Sequence, residues 1–81
     1  VSIPKVSVEQ IKAARALLRW TQHDLAEASG VSIPTVKRLE ADGGTLGGRD
    51  STVAAIRAAL ESAGVEFLDA NGSGPGIRLK R

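Results

Sequence analysis

Thr21 to Glu40, TQHDLAEASGVSIPTVKRLE, shows two short helical patterns with a single glycine between them. In the first, Leu25, Ala26 and Ser29 make an inner side; in the second, Val36 and Leu39 share a face. Neither segment reaches the roughly 12–15 residues at which an isolated helix becomes even marginal in water, so each must be held by its neighbours. The Thr21 hydroxyl can cap the first helix, with Asp24 three residues on, near the positive end of the dipole. Gly30 stands where a helix C-terminus takes the left-handed conformation, and the chain must turn there. The second helix opens around Val31-Ser32. Ser32 is the better cap, and Ile33 is the alternative, because a residue before proline resists helical dihedrals and Pro34 suits a first helical position. Pro34, Lys37, Arg38 and Ala41 then lie opposite Val36 and Leu39, on an outward face without an acid.

Upstream, Ser7-Val8-Glu9-Gln10 matches a capping box that opens a helix with Ile11, Ala14, Arg15 and Leu18 on one face. Ile11, Ala14 and Leu18 are its core candidates. Leu18-Arg19-Trp20 closes it and leads to Thr21 without a long loop. Downstream, Ala41 to Gly48 holds Gly43, Gly44, Gly47 and Gly48 and reads as a surface connector. Asp50 or Ser51 caps a further helix in which Val53, Ile56, Leu60 and Ala63 recur at helical spacing, and Gly64 ends it. Beyond it, Val65–Leu68 and Ile77–Lys80 read as strands joined by a Gly-rich loop. A two-stranded ribbon is marginal in water, so this tail must lie on the helices or pair with another chain. The expected organisation is a domain over residues 1–64 and a β extension over 65–81 that serves as a dimerisation element.

The composition fits one small domain: 81 residues, 42% hydrophobic and 25% charged, near the lower limit of self-sufficient cores, where a partner chain helps. Trp20 and Phe67 are the only aromatic residues, so the core must come from closely packed aliphatic helices and the fold class is mainly α. Without cysteine there is neither a disulfide framework nor a thiolate metal site, and His23 has no second histidine to share a metal. No apolar run approaches a membrane span, and VSIPKVSVEQ lacks the hydrophobic stretch of a secretory signal, so a cytoplasmic location and no membrane partner are expected. A net charge of +2 permits a nucleic-acid partner without demonstrating one.

The set formed by Gln22 opening one helix, Leu25-Ala26 inside it, Gly30 at the turn, Val36 and Leu39 inside the next and Glu40 closing it resembles the helix-turn-helix DNA-binding domains of the lambda-repressor, Cro and Xre type. The resemblance covers about residues 8 to 63. It implies a lambda-repressor-like bundle of four to five short helices, here followed by a β-hairpin or strand pair, that places its third helix, about residues 32–41, in the major groove of double-stranded DNA. Carried over by position, Ser32, Ile33, Pro34 and Lys37 become base-facing, while Thr21, Gln22, Thr35 and Arg38 face phosphates. Arg15 and Glu40 match a pair that forms a salt bridge between the first and third helices in several members; if exposed, its value is on the order of a kcal/mol or less and its use is geometric. The chain departs from the better-known repressors at Ile33 and Pro34, which offer apolar contact where those present amides, so hydrogen-bonded readout should be thin and DNA shape should contribute. The implied protein is a transcriptional regulator acting as a homodimer on a two-fold operator, with Val65, Phe67, Leu68, Ile77 and Leu79 as dimerisation candidates.

Plainer readings stand beside these. Lys37 and Arg38 alone would be an ordinary solvated face, and Thr21 and Gln22 only a helix start. His23 is expected to face solvent, and Trp20 to be a half-buried plug rather than a stacking platform. Gly43 to Gly48 lacks the lysine and hydroxyl of a phosphate-binding loop. Arg49 and Arg57, like Arg78, Lys80 and Arg81, either neutralise phosphates or keep the surface soluble. Asp24, Glu27, Glu40 and Asp50 have no companion at a spacing that shapes an acid/base site, so no enzyme and no cofactor are expected. The competing function is a protein-interaction module, such as an antitoxin whose apolar tail strand docks a protein partner.

Overall fold

Each of the first two helices begins where a side chain and a backbone amide exchange hydrogen bonds three residues apart. In α1 (Val8–Leu18) the Gln10 amide donates to Ser7 Oγ at 3.0 Å and the Ser7 amide to Gln10 Oε1 at 2.9 Å. In α2 (Gln22–Ser29) the Asp24 amide donates to Thr21 Oγ1 at 3.0 Å and the Thr21 amide to Asp24 Oδ2 at 2.9 Å. Gly30 ends α2 with φ 77, and its amide donates to the Ala26 carbonyl. In α3 (Ile33–Asp42) the Thr35 amide donates to Ser32 Oγ at 3.3 Å, which settles the alternative starts: Ser32 caps and Ile33 is helical. Pro34 follows within the first turn, where its missing N–H costs nothing. The computed structural model describes residues 6–42, 50–68 and 76–79. Since α4 (Asp50–Ser62) begins at Asp50, its cap position lies outside the described residues, as does most of the glycine-rich connector.

The fold is mainly helical, with four helices among the described residues followed by a two-stranded antiparallel sheet of β1 (Val65–Leu68) and β2 (Gly76–Leu79). Packing runs through α2, which lies against both α3 and α4, while α1 joins α3 to β2 and β1 lies on α4. Val6, Val8, Ile11, Ala14, Leu25, Ala26, Val36, Leu39, Ile56, Leu60 and Val65 form one buried cluster, with Leu18, Trp20, Val53 and Ile33 half-buried against it. Ala63 departs from the helical pattern expected of it: α4 stops at Ser62, so Ala63 falls in the turn before Gly64 (φ 106) and is exposed. No helix among the described residues is long and apolar enough to cross a membrane.

The strands pair with each other and fold back on their own chain. Their register sets Val65 opposite Leu79 and Phe67 opposite Ile77, all on the face toward the helices, and Glu66 opposite Arg78, which form an ion pair on the other face. Val65 is only 3% exposed, so this dimerisation candidate has no free surface for a second chain; Phe67, Ile77 and Leu79 are half-buried, and Leu68 alone of the five is exposed. Gln10 fixes the end of the ribbon where β1 leaves and β2 enters. Its Nε2 donates to the Gly76 carbonyl at 3.0 Å and to the Leu68 carbonyl at 3.5 Å, the two members of the last ladder pair.

Gln10 thus serves a helix cap and a strand pair at once, although it is nearly buried. Changing Gln10→Ala should destabilise the domain by about 1–2 kcal/mol, combining a lost cap interaction with carbonyls left short of a donor. Amide hydrogen exchange should rise in β1 and β2 more than in α2; a uniform rise would show that the ribbon does not depend on this contact.

Candidate nucleic-acid interface

The angle of α3 is set by its inward residues. Val36 and Leu39 are buried, and so is Glu40, at 3% exposure. Because Glu40 faces inward, the surface from Ser32 through Ala41 presents Pro34, Lys37, Arg38 and Ala41 to solvent without a carboxylate among them. Lys37 and Arg38 have no ion-pair partner among the described residues. A short helix with one face anchored and the opposite face free is narrow enough to enter the major groove.

Glu40 accepts three hydrogen bonds from two side chains, Arg15 of α1 and Gln22 of α2. Arg15 approaches it in a fork, Nε to Oε2 at 2.7 Å and Nη2 to Oε1 at 2.6 Å, and Arg15 Nη1 donates to the Trp20 carbonyl at 3.0 Å. Gln22 Nε2 donates to Oε1 at 3.1 Å. Burial opposes ionisation of this carboxyl, but the bonds from Arg15 and Gln22 and the charges of Arg15 and Lys12 outweigh it and hold the carboxyl below the ordinary range. The pair is therefore not the exposed surface bridge considered from sequence; it joins α1, the α1–α2 corner, the start of α2 and α3 in one polar knot. Arg15 itself keeps 19% side-chain exposure, so the knot lies just beneath the surface.

The remaining expected contact residues fall into distinct situations. Pro34 and Lys37 are exposed. Ser32 is exposed, but its hydroxyl donates to Thr35 Oγ1 at 2.8 Å while accepting the Thr35 amide, so outward it offers only acceptor capacity. Ile33 is half-buried against the core and can show DNA only part of its side chain. Thr35 is half-buried, and its hydroxyl hydrogen is not used by Ser32. Thr21 is exposed, with its oxygen on the Asp24 amide. Gln22 is half-buried with one amide hydrogen on Glu40, which leaves the second for an outside acceptor. His23 has 69% side-chain exposure and sits 3.9 Å from the Glu27 carboxylate.

Of the more distant cations, Arg57 lies 5.1 Å from the centre of the Phe67 ring and pairs with Glu61 at 3.2 Å, which commits it to the seam between α4 and β1. Arg78 is paired with Glu66. Arg49, Lys80 and Arg81 lie outside the described residues. The reach of Gln22 to Glu40 and of Gln10 to the strands escaped the sequence reading, since an isolated glutamine carries no signal of a distant partner.

The family model described as helix-turn-helix matches residues 11–49, which span α1 from Ile11, the turn at Gly30 and all of α3. No curated protein gives a match. The matched segment coincides with the part of the molecule in which Arg15, Gln22 and Glu40 lock α3 to the helices before it. Residues 11–49 therefore carry a helix-turn-helix of the Xre and lambda-repressor type, a DNA-binding regulatory domain.

Proposed function

We propose that the chain is a sequence-specific transcriptional regulator that inserts α3 into the major groove and works as a homodimer on a two-fold symmetric operator. The observation that carries this reading is the exposed face of α3 from Ser32 to Ala41, which holds no acid and on which Lys37 and Arg38 have no ion-pair partner among the described residues, opposite a buried anchor of Val36, Leu39 and Glu40. Lys37 reaches base edges, and Pro34, with the exposed part of Ile33, gives apolar contact suited to a thymine methyl. Ser32 faces the bases as an acceptor, fit for a donor such as the cytosine amino group. Arg38, Thr35, Thr21 and the free amide hydrogen of Gln22 hold phosphates and set the register. With so few hydrogen-bonding readers, sequence-dependent DNA shape supplies part of the discrimination.

One such helix reads only a few base pairs, and two copies about one DNA turn apart give useful specificity. The strand pair is the proposed contact between copies, through the exposed Leu68 and the outer parts of Phe67, Ile77 and Leu79. Selection from a random duplex pool tests both parts together. The expected product is a palindromic consensus whose half-sites are about 10 base pairs apart centre to centre. A single unrepeated half-site would remove the dimer, and no enrichment would remove the DNA reading.

A further inference from the structure

Arg19 is the one non-glycine residue with positive φ among the described residues, at φ 57 and ψ 37. It closes α1: its amide donates to the Ala16 carbonyl at 3.1 Å and the next amide, of Trp20, to the Arg15 carbonyl at 2.8 Å. Glycine takes this left-handed position freely, whereas any L side chain crowds its own backbone there. The arginine recovers nothing within the fold, because its side chain is exposed and has no hydrogen-bond, ion-pair or ring partner among the described residues. A residue unfavourable to folding and unused inside the molecule directs attention to what it meets outside.

The position of this corner is fixed relative to α3. The Arg15 guanidinium that grips Glu40 also holds the carbonyl of Trp20, the residue next to Arg19, and Gln22, three residues after Arg19, bonds the same carboxylate. Arg19 therefore travels with α3 as part of one rigid unit, just ahead of Thr21 and Gln22, the start of α2 assigned above to phosphates. Leu18 and Trp20 on either side are half-buried against the core, so the corner cannot swing while they stay packed.

We propose that Arg19 is a phosphate-contacting residue beside the reading helix, held by its left-handed backbone so that its guanidinium reaches the DNA backbone next to the groove that α3 enters. The proposal rests on the DNA reading above and extends it to a residue outside α2 and α3. Arginine suits the task, since its fork can meet two phosphate oxygens and it stays charged at every relevant pH.

The test compares the full chain with Arg19→Gly and Arg19→Lys, measuring thermal unfolding and the salt dependence of binding to the duplex recovered by selection. Arg19→Gly should unfold on the order of 5 °C higher, as backbone crowding is relieved, yet bind roughly tenfold more weakly, with a salt slope lower by about one unit per bound chain. Arg19→Lys should keep most of the slope, since the charge remains. These opposite changes in stability and affinity separate a contact role from a structural one. Wild-type affinity and slope in Arg19→Gly would overturn the proposal while leaving the DNA reading intact, and a lower unfolding temperature would overturn the claim that the arginine is unfavourable to the fold. A wild-type chain that binds no duplex would overturn the DNA reading and this inference with it.

Discussion

Glu40→Ala should lower the unfolding free energy by about 3 kcal/mol, the largest effect expected from a single change near the interface. The carboxylate is 3% exposed and receives both arms of the Arg15 fork and the Gln22 amide. Removing it leaves a guanidinium with 19% exposure facing the space the carboxylate filled, and a half-buried amide without its acceptor. Breaking a buried ion pair on one side costs about 3–5 kcal/mol, and the partial hydration of Arg15 places this case at the lower end. For a domain whose total stability lies within about 5–15 kcal/mol, that is a large fraction.

Glu40→Gln should be milder, because shape and one acceptor remain, and it separates charge from packing. The carboxyl is held below its ordinary value of 4.5, so the folded state binds its proton less readily than the unfolded chain. The stabilisation is therefore complete above the unfolded value and is lost as pH falls through the lower folded value. Urea unfolding between pH 7 and pH 3 should show the wild type losing stability in acid more steeply than Glu40→Gln. An alanine variant within about 1 kcal/mol of the wild type at pH 7 would show that the knot does not hold α3.

Lys37→Ala combined with Arg38→Ala should leave the fold nearly unchanged and abolish most operator binding. Both side chains are exposed and unpaired among the described residues, so unfolding should shift by no more than about 0.5 kcal/mol. A base contact is worth about 1–3 kcal/mol, and each phosphate contact contributes about 0.9 to the salt slope. Lost from both halves of a dimer, these contacts should weaken binding by about a hundredfold or more near physiological salt and lower the slope by about two. Gel-shift titrations at several salt concentrations read both quantities. Binding that survives the double change would move the reading surface away from α3 and favour a protein partner as the main ligand of this domain.

Much of this interface is legible residue by residue, because its parts act over short distances along the chain. Ser7 with Gln10 and Thr21 with Asp24 close hydrogen bonds across three residues, and Gly30 answers a backbone requirement at its own position. Val36 and Leu39 mark the inward side of α3 by helical spacing, so Lys37 and Arg38 face outward before any fold is known. The helix-turn-helix and its candidate reading face follow from such local rules.

Other features arise only when the elements meet. Gln10 reaches carbonyls 58 and 66 residues away, and Gln22 meets Glu40 across 18. Periodicity ranks the faces of one helix but does not say which polar side chain of another will lie opposite, so the conversion of Glu40 from a surface charge into a buried knot could not be read in advance. The strand pair shows the same limit: alternation places Val65 and Phe67 on one side, yet whether that side covers this chain's helices or another chain depends on the packing angle, which here buries Val65 at home. Arg19 adds a backbone case, since the corner between α1 and α2 imposes a left-handed residue whatever side chain stands there. Local hydrogen bonds and periodicity are encoded within a few residues, while long-range partners and forced dihedrals are settled by close packing in three dimensions.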